Sequence, residues 1–206
     1  SPFIISGFES LKALSESECR PFDIERLGLN LGEAAATLVL SKQSREDCWQ
    51  IADGIIRNDG FHISSPSPKG EGAFQTLSKI LEGTSIDDIA VVNAHGTATM
   101  YNDQMESKAI SRAGLSEVPA NALKGYFGHT MGAAGVLETI LIMRSVSEGI
   151  VLGTRNFEEL GVSGKVNLSS LEQQTNKPSF VKMISGFGGC NASILVSRNY
   201  KSERKQ

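Results

Sequence analysis

The segment Ile89 to Thr99 reads "IAVVNAHGTAT": an apolar run that passes without a break into a histidine, a glycine and two threonines. An uninterrupted apolar run this short, closed by glycine, is the pattern of a strand buried on both faces rather than of an amphipathic helix. The pattern recurs. "VPANAL" (118–123) runs into Lys124-Gly125 and then Gly128-His129, and "FVKMIS" (180–185) runs into Gly186-Phe187-Gly188-Gly189-Cys190-Asn191. Between these runs the apolar spacing becomes helical. Phe74, Leu77, Ile80 and Leu81 predict a helix over 71–82, and Val136, Leu137, Ile140, Leu141 and Met143 predict one over 130–146 that is buried on most sides. A third helix is expected over 103–113, with Asp103 as N-cap and Glu106 completing a capping box. Further strands are expected at 31–40, 50–57 and 192–197, the last joined to 180–185 by the turn "GFGG". Strands alternating with helices predict an α/β layer fold.

The 206 residues are enough for one large domain or two small ones, and 40% apolar with 21% charged residues fits an ordinary globular chain. A formal net charge of −3 argues against a nucleic-acid partner bound through phosphates. The one basic cluster, Lys201 to Lys205, reads as a solvated tail over 201–206. Three cysteines (Cys19, Cys48 and Cys190) make no disulfide framework and no zinc spacing, which points to a reducing, cytoplasmic setting. No signal peptide is legible, and the most apolar run, 131–143, is interrupted by Glu138 and Thr139 and is too short for a bilayer, so no membrane association is expected. The chain opens directly in apolar sequence, "SPFIISGF", which reads as an element severed from something longer.

Open α/β sheets gather ligands at the carboxyl ends of their strands. Three strand ends each deliver glycine together with a donor or a reactive group, although each alone has a plainer reading. A lone histidine after a strand is commonly structural, a lysine is commonly a surface cation, and "GFGG" is commonly just a tight turn. Jointly they suit an oxyanion. His129 precedes a helix, whose positive end disfavours the imidazolium, so a neutral ring can donate to a carbonyl oxygen as that oxygen gains charge. His95 is a second donor, and the N–H groups of 186–189 are a candidate anion nest. Cys190, beside the Gly-rich turn, is the candidate nucleophile within the chain.

Three stretches, "NAHGTATMYND", "KGYFGHTMGAAGVLE" and "GFGGCNASILV", closely resemble signatures of the β-ketoacyl-acyl carrier protein synthases, the condensing enzymes of fatty acid and polyketide synthesis. The segment 7–40, "GFESLKALS…CRPFD…GLNLGEAAATLVL", resembles the region linking the two halves of that fold. The resemblance implies a thiolase-like α/β/α fold. Residues 1–45 would end the first half, and 46–200 would form a second βαβαβαββ half. It implies that His95 and His129 polarise a thioester carbonyl, and that Lys124 lies in a charge network with Asp103 and Glu106. Glu138 would be the acidic residue on the following helix. Thr97 and Thr99 would line a pantetheine channel, with Phe187 and Gly188 at its gate, the Phe187 N–H contributing to an oxyanion hole. It implies no metal and no resident cofactor, the substrate riding on the phosphopantetheine of acyl carrier protein. The partners implied are that carrier protein, the other half of the enzyme, and a homodimeric or heterodimeric mate.

Departures from the family pattern accompany the match. The family's nucleophilic cysteine belongs to the first half and is not represented, and Cys190 stands where threonine is usual. "NSFGFGG" is here "MISGFGG", a change expected to alter acyl-chain selection, and "GEGAG" is "GEAAA", expected to tighten local packing. The expected function is decarboxylative Claisen condensation of an acyl thioester with malonyl-acyl carrier protein, this chain alone being inactive. The alternatives are a non-catalytic subunit resembling a chain-length factor, against which the retained His95, Lys124 and His129 argue, and a plain binding domain.

Overall fold

A computed structural model describes residues 1–43 and 48–198. The expected boundary at 45–46 and the tail 201–206 lie outside the described residues. The chain begins with helix α1 (Pro2–Ser10) and an irregular segment, then follows β1 (Trp49–Asn58), α2 (Glu71–Ile80), β2 (Ile89–Asn93), α3 (Met100–Arg112) and β3 (Pro119–Asn121). The one-turn helix α4 (Lys124–Phe127), α5 (Ala134–Ser147) and the two-residue strands β4 (Ile150–Val151), β5 (Asn167–Leu168) and β6 (Gln173–Gln174) come next. The hairpin β7 (Ser179–Gly186) and β8 (Cys190–Arg198) closes the series. Leaving aside the two-residue strands, the order from β1 onward is βαβαβαββ, with the one-turn α4 counted as the lead-in to α5.

The main sheet has the order β1-β8-β7-β2-β3-β5. β2 runs parallel to β3 and β7, while β8 is antiparallel to β7 and to the edge strand β1. Each face carries its own core. On one side Leu77 and Ile80 of α2 and Met105, Ala109 and Ile110 of α3 pack on Val92, Val181, Met183 and Leu195. On the other, Ile142 and Val146 of α5 pack on Val91, Phe180 and Val196. The result is the α/β/α layering that the alternation predicts. β2 is buried at every position because both faces are covered, which is why its sequence is continuously apolar.

Two expectations fail. Residues 31–40 form no strand; their one pairing is an isolated bridge from Leu31 to His129, and Val39 and Leu40 are 92% and 72% exposed. The apolar content is real, but among the described residues nothing lies alongside this stretch to complete a ladder. Of the two alanines that stand where "GEGAG" has glycine, Ala34 is exposed and Ala36 half-buried. Helix α3 starts three residues earlier than expected, with Thr99 as N-cap, so Asp103 and Glu106 lie inside it and do not form a capping box.

Candidate active site

Because β2, β3 and β7 are mutually parallel neighbours, their carboxyl ends emerge at one edge of the sheet, and the three loops seen in the sequence meet there. They border a cleft of about 470 Å³ lined by His95, Thr97, Thr99, His129, Phe187 and Gly188, with Phe8, His62, Met131 and Ile184 completing the walls. The His95 and His129 rings stand edge to face, centroids 5.0 Å apart. Phe8 joins the two sides of the mouth, its ring 6.5 Å from His129 and 5.9 Å from the exposed Phe187.

Helix α3 shapes the first loop. Cα–Cβ bonds lean toward a helix N-terminus, and the two carboxylates one turn apart reach back over the loop that leads into it. Glu106 accepts the N–H groups of His95 and Gly96, both at 2.7 Å. Asp103 accepts that of Thr97 at 3.0 Å and, with its other oxygen, that of Phe22 at 2.7 Å. Gly96 takes a left-handed φ of +49°, which a side chain would strain. Burial pushes the Glu106 carboxyl up to about 7 and also raises Asp103, and the backbone donors pull both back down. These two residues act as a clamp on the loop, with no direct contact to Lys124. Lys124 is coupled to Glu106 through its charge, which lowers that carboxyl, while its hydrogen bonds go to Glu138 and His95.

Lys124 is fully buried and lies behind the cleft rather than on its wall. Its ammonium pairs with Glu138 Oε1 at 2.8 Å, donates to the His95 carbonyl, and sits 3.2 Å from His95 Nδ1. An ammonium has only donors, so His95 Nδ1 accepts and the ring proton resides on Nε2. His129 reaches the same tautomer by a different route: its Nδ1 accepts the Met131 N–H at 3.1 Å. That N–H opens the 3₁₀ turn 131–133 ahead of α5, so helix α5 does not begin beside His129 as expected. The backbone of His129 is held by 30–32, its N–H donating to the Asn30 carbonyl at 2.7 Å and its carbonyl accepting the Gly32 N–H at 3.0 Å. Burial, then the charge of Lys124, lowers His129 from 6.5 to about 4 and also holds His95 well below the usual imidazole value. Both imidazoles are neutral at pH 7, with Nε2–H as the remaining donor, and both line the cleft. Such a pair suits an oxygen that acquires negative charge.

Cys190 is exposed and does not line the cleft, which removes the geometry a Cys/His pair would need. Cys19 is buried, its thiol pushed up to about 12 mainly by burial. One participant escaped the sequence reading altogether. Lys182, in the middle of β7, is 2% exposed and donates to Glu138 Oε2 and to the Ala94 carbonyl. A lone lysine inside the apolar run "FVKMIS" was the available signal, since a buried ammonium requires a partner.

The family profile for "Beta-ketoacyl synthase, C-terminal domain" matches residues 50–158. The chain is 33% identical to 3-oxoacyl-(acyl-carrier-protein) synthase 2 of Rhizobium meliloti (strain 1021), over 94% of this chain and 50% of that protein. Among solved structures, one chain of the complex between the ketosynthase ApeO and its chain length factor ApeC from Xenorhabdus doucetiae superposes with a TM-score of 0.82. The identity is 28%, covering 97% of this chain and 51% of the other. A beta-ketoacyl synthase from Burkholderia phymatum STM815 gives a TM-score of 0.83 at 25% identity, covering 97% and 52%. The chain spans about half the length of the curated relatives it matches.

Proposed function

This chain belongs to the beta-ketoacyl synthase family, and on that premise we propose that it supplies the decarboxylation and condensation half of a ketosynthase active site. The substrates in this reading are an acyl thioester and malonyl-acyl carrier protein. The observation that carries it is the pair of neutral imidazoles 5.0 Å apart, each with Nδ1 occupied by a donor and Nε2–H left for a ligand. A malonyl thioester oxygen between them would accept both. The bond to the malonyl carboxylate breaks, carbon dioxide leaves, and the electron pair it releases becomes an enolate stabilised on that oxygen. The enolate carbon then attacks the acyl thioester carbonyl and expels the thiol that carried the acyl group.

In this reading Thr97 and Thr99, whose hydroxyls are 2.8 Å apart on the cleft wall, take the amides of a phosphopantetheine arm. Phe187 stands at the mouth, where its ring can cover the cleft, and its N–H is the candidate donor to the acyl carbonyl. The acyl-bearing cysteine in this reading comes from outside these 206 residues, because Cys19 is too deeply buried to ionise near pH 7 and Cys48 and Cys190 lie off the cleft. The carrier protein delivers the malonyl group, and no resident metal or cofactor takes part.

The test is decarboxylation of malonyl-carrier protein by the protein at its natural length. His95→Ala and His129→Ala should each lower kcat by about 100-fold or more, the cost of losing an oxyanion donor. Undiminished turnover in both variants would sink the proposal. A protein that never turns over malonyl-carrier protein, yet is needed by a partner ketosynthase for chain length, would place it with the non-catalytic subunits.

A further inference from the structure

Glu138 is the centre of a buried cluster in which two ammonium groups contact one carboxylate, the next carboxyl, Glu106, being pushed up to about 7 by burial and so only partly ionised at neutral pH. One oxygen of Glu138 accepts from Lys124 at 2.8 Å and the other from Lys182, and these three side chains are 2% exposed or less. One lysine would neutralise one carboxylate. At position 182 an apolar residue would continue the packing of Phe180 on the α5 face of the sheet without the desolvation cost of an ammonium. A merely structural role leaves the second lysine unexplained.

Lys182 is packed between the elements that build the site. Glu138 faces it from α5, Lys124 from α4, Glu106 from α3, and the Ala94 carbonyl and His95 from the loop after β2. We infer that Lys182 is a positioning residue whose ammonium, shared with Glu138, puts surplus positive charge behind the His95–His129 donor pair and so favours negative charge forming in the cleft. It also anchors the carboxylate from the sheet side, leaving Lys124 fixed against His95 Nδ1. The charge of Lys182 contributes to lowering both imidazoles, while burial brings Lys182 itself down from 10.5 to about 8. The surplus is therefore present at neutral pH and fades as pH rises through about 8. In its catalytic consequence this inference rests on the condensation reading; in its electrostatic consequence it does not.

The experiment compares wild type, Lys182→Met and Lys182→Arg in the natural-length protein, by NMR titration of the imidazoles and by the pH profile of malonyl-carrier protein decarboxylation. Lys182→Met should raise the His129 midpoint by roughly half a unit or more. It should lower kcat about tenfold at pH 7 with KM little changed, and abolish the alkaline limb near pH 8. Lys182→Arg should restore the midpoint and move the limb to higher pH. A folded Lys182→Met variant with unchanged imidazole midpoints and an unchanged alkaline limb overturns the inference, as does Lys182→Arg behaving like Lys182→Met. Shifted midpoints in a protein with no decarboxylase activity support the electrostatic role and count against the condensation reading alone. Should Lys182→Met fail to fold, the wild type still decides. A lysine titrating near pH 8 in step with the imidazole shifts supports the role, and one titrating at the ordinary lysine value refutes it.

Discussion

His129 and His95 are worth most to this site when uncharged, and their surroundings enforce that state. Each ring is desolvated, each is near Lys124, and each has its Nδ1 engaged by a donor that an imidazolium would repel. The linkage sign follows. A histidine whose folded pKa lies below its unfolded value stabilises the fold above the unfolded value near 6.5 and loses that contribution as pH falls through the folded value, about 4 for His129. Denaturant unfolding between pH 7 and pH 4 should thus show stability falling with pH. His129→Gln, which keeps a neutral polar group, should remove about one proton from the slope of that acid limb. An identical slope in the variant would show that His129 titrates normally.

At the scale of elements, α3 is the frame of the first loop. Its two buried carboxylates use all four oxygens on backbone N–H groups, three in the loop 95–97 and one at Phe22 in the N-terminal segment. Asp103→Asn retains the size and one acceptor but turns an NH₂ toward the remaining N–H. It should cost about 1–3 kcal/mol, the range for a buried donor left unsatisfied, measured by urea unfolding. Because the lost bond is either at Thr97 or at Phe22, the variant also loosens the wall that carries His95. A variant as stable as wild type would show that the clamp is redundant. The strand ends are organised by the same economy. The hairpin of β7 and β8 turns through Gly188 and Gly189 at φ of +82° and +77°, and this fixes Phe187 at the mouth of the cleft.

For the molecule as a whole, the covered sheet contrasts with the uncovered N-terminal segment. Helix α1 has no buried residue, and Phe3, Leu27, Val39 and Leu40 are between 69% and 92% exposed. Leaving such a side chain in water forfeits about 1.5–3 kcal/mol, against a typical domain stability of only about 5–15 kcal/mol. The 206-residue chain purified alone should therefore self-associate at micromolar concentration and bind a hydrophobic dye. Sedimentation would reveal a distribution heavier than the 22.1 kDa monomer. A monodisperse monomer that binds little dye and unfolds cooperatively would show that this surface needs no cover.

Read by itself, the sequence determined the layering, the buried parallel strands and the identity of the two cleft histidines. Each of these is set locally: continuous apolarity marks a strand covered on both faces, helical spacing marks its neighbours, and glycine marks where the backbone must turn. Residues 31–40 were misread because an apolar run does not reveal whether a partner strand lies beside it. Asp103 and Glu106 resembled a helix cap because S/T/D-x-x-E spacing is shared by caps and by carboxylates that clamp a preceding loop. Only the tertiary structure decided which loop they hold, that Lys124 stands behind the cleft rather than on its wall, and that Lys182 of β7 reaches Glu138 of α5. Glu138 and Lys182 are 44 residues apart in sequence, and whether a buried charge finds its counter-ion depends on which elements the fold brings together in the dry interior, where an unpaired charge is most costly.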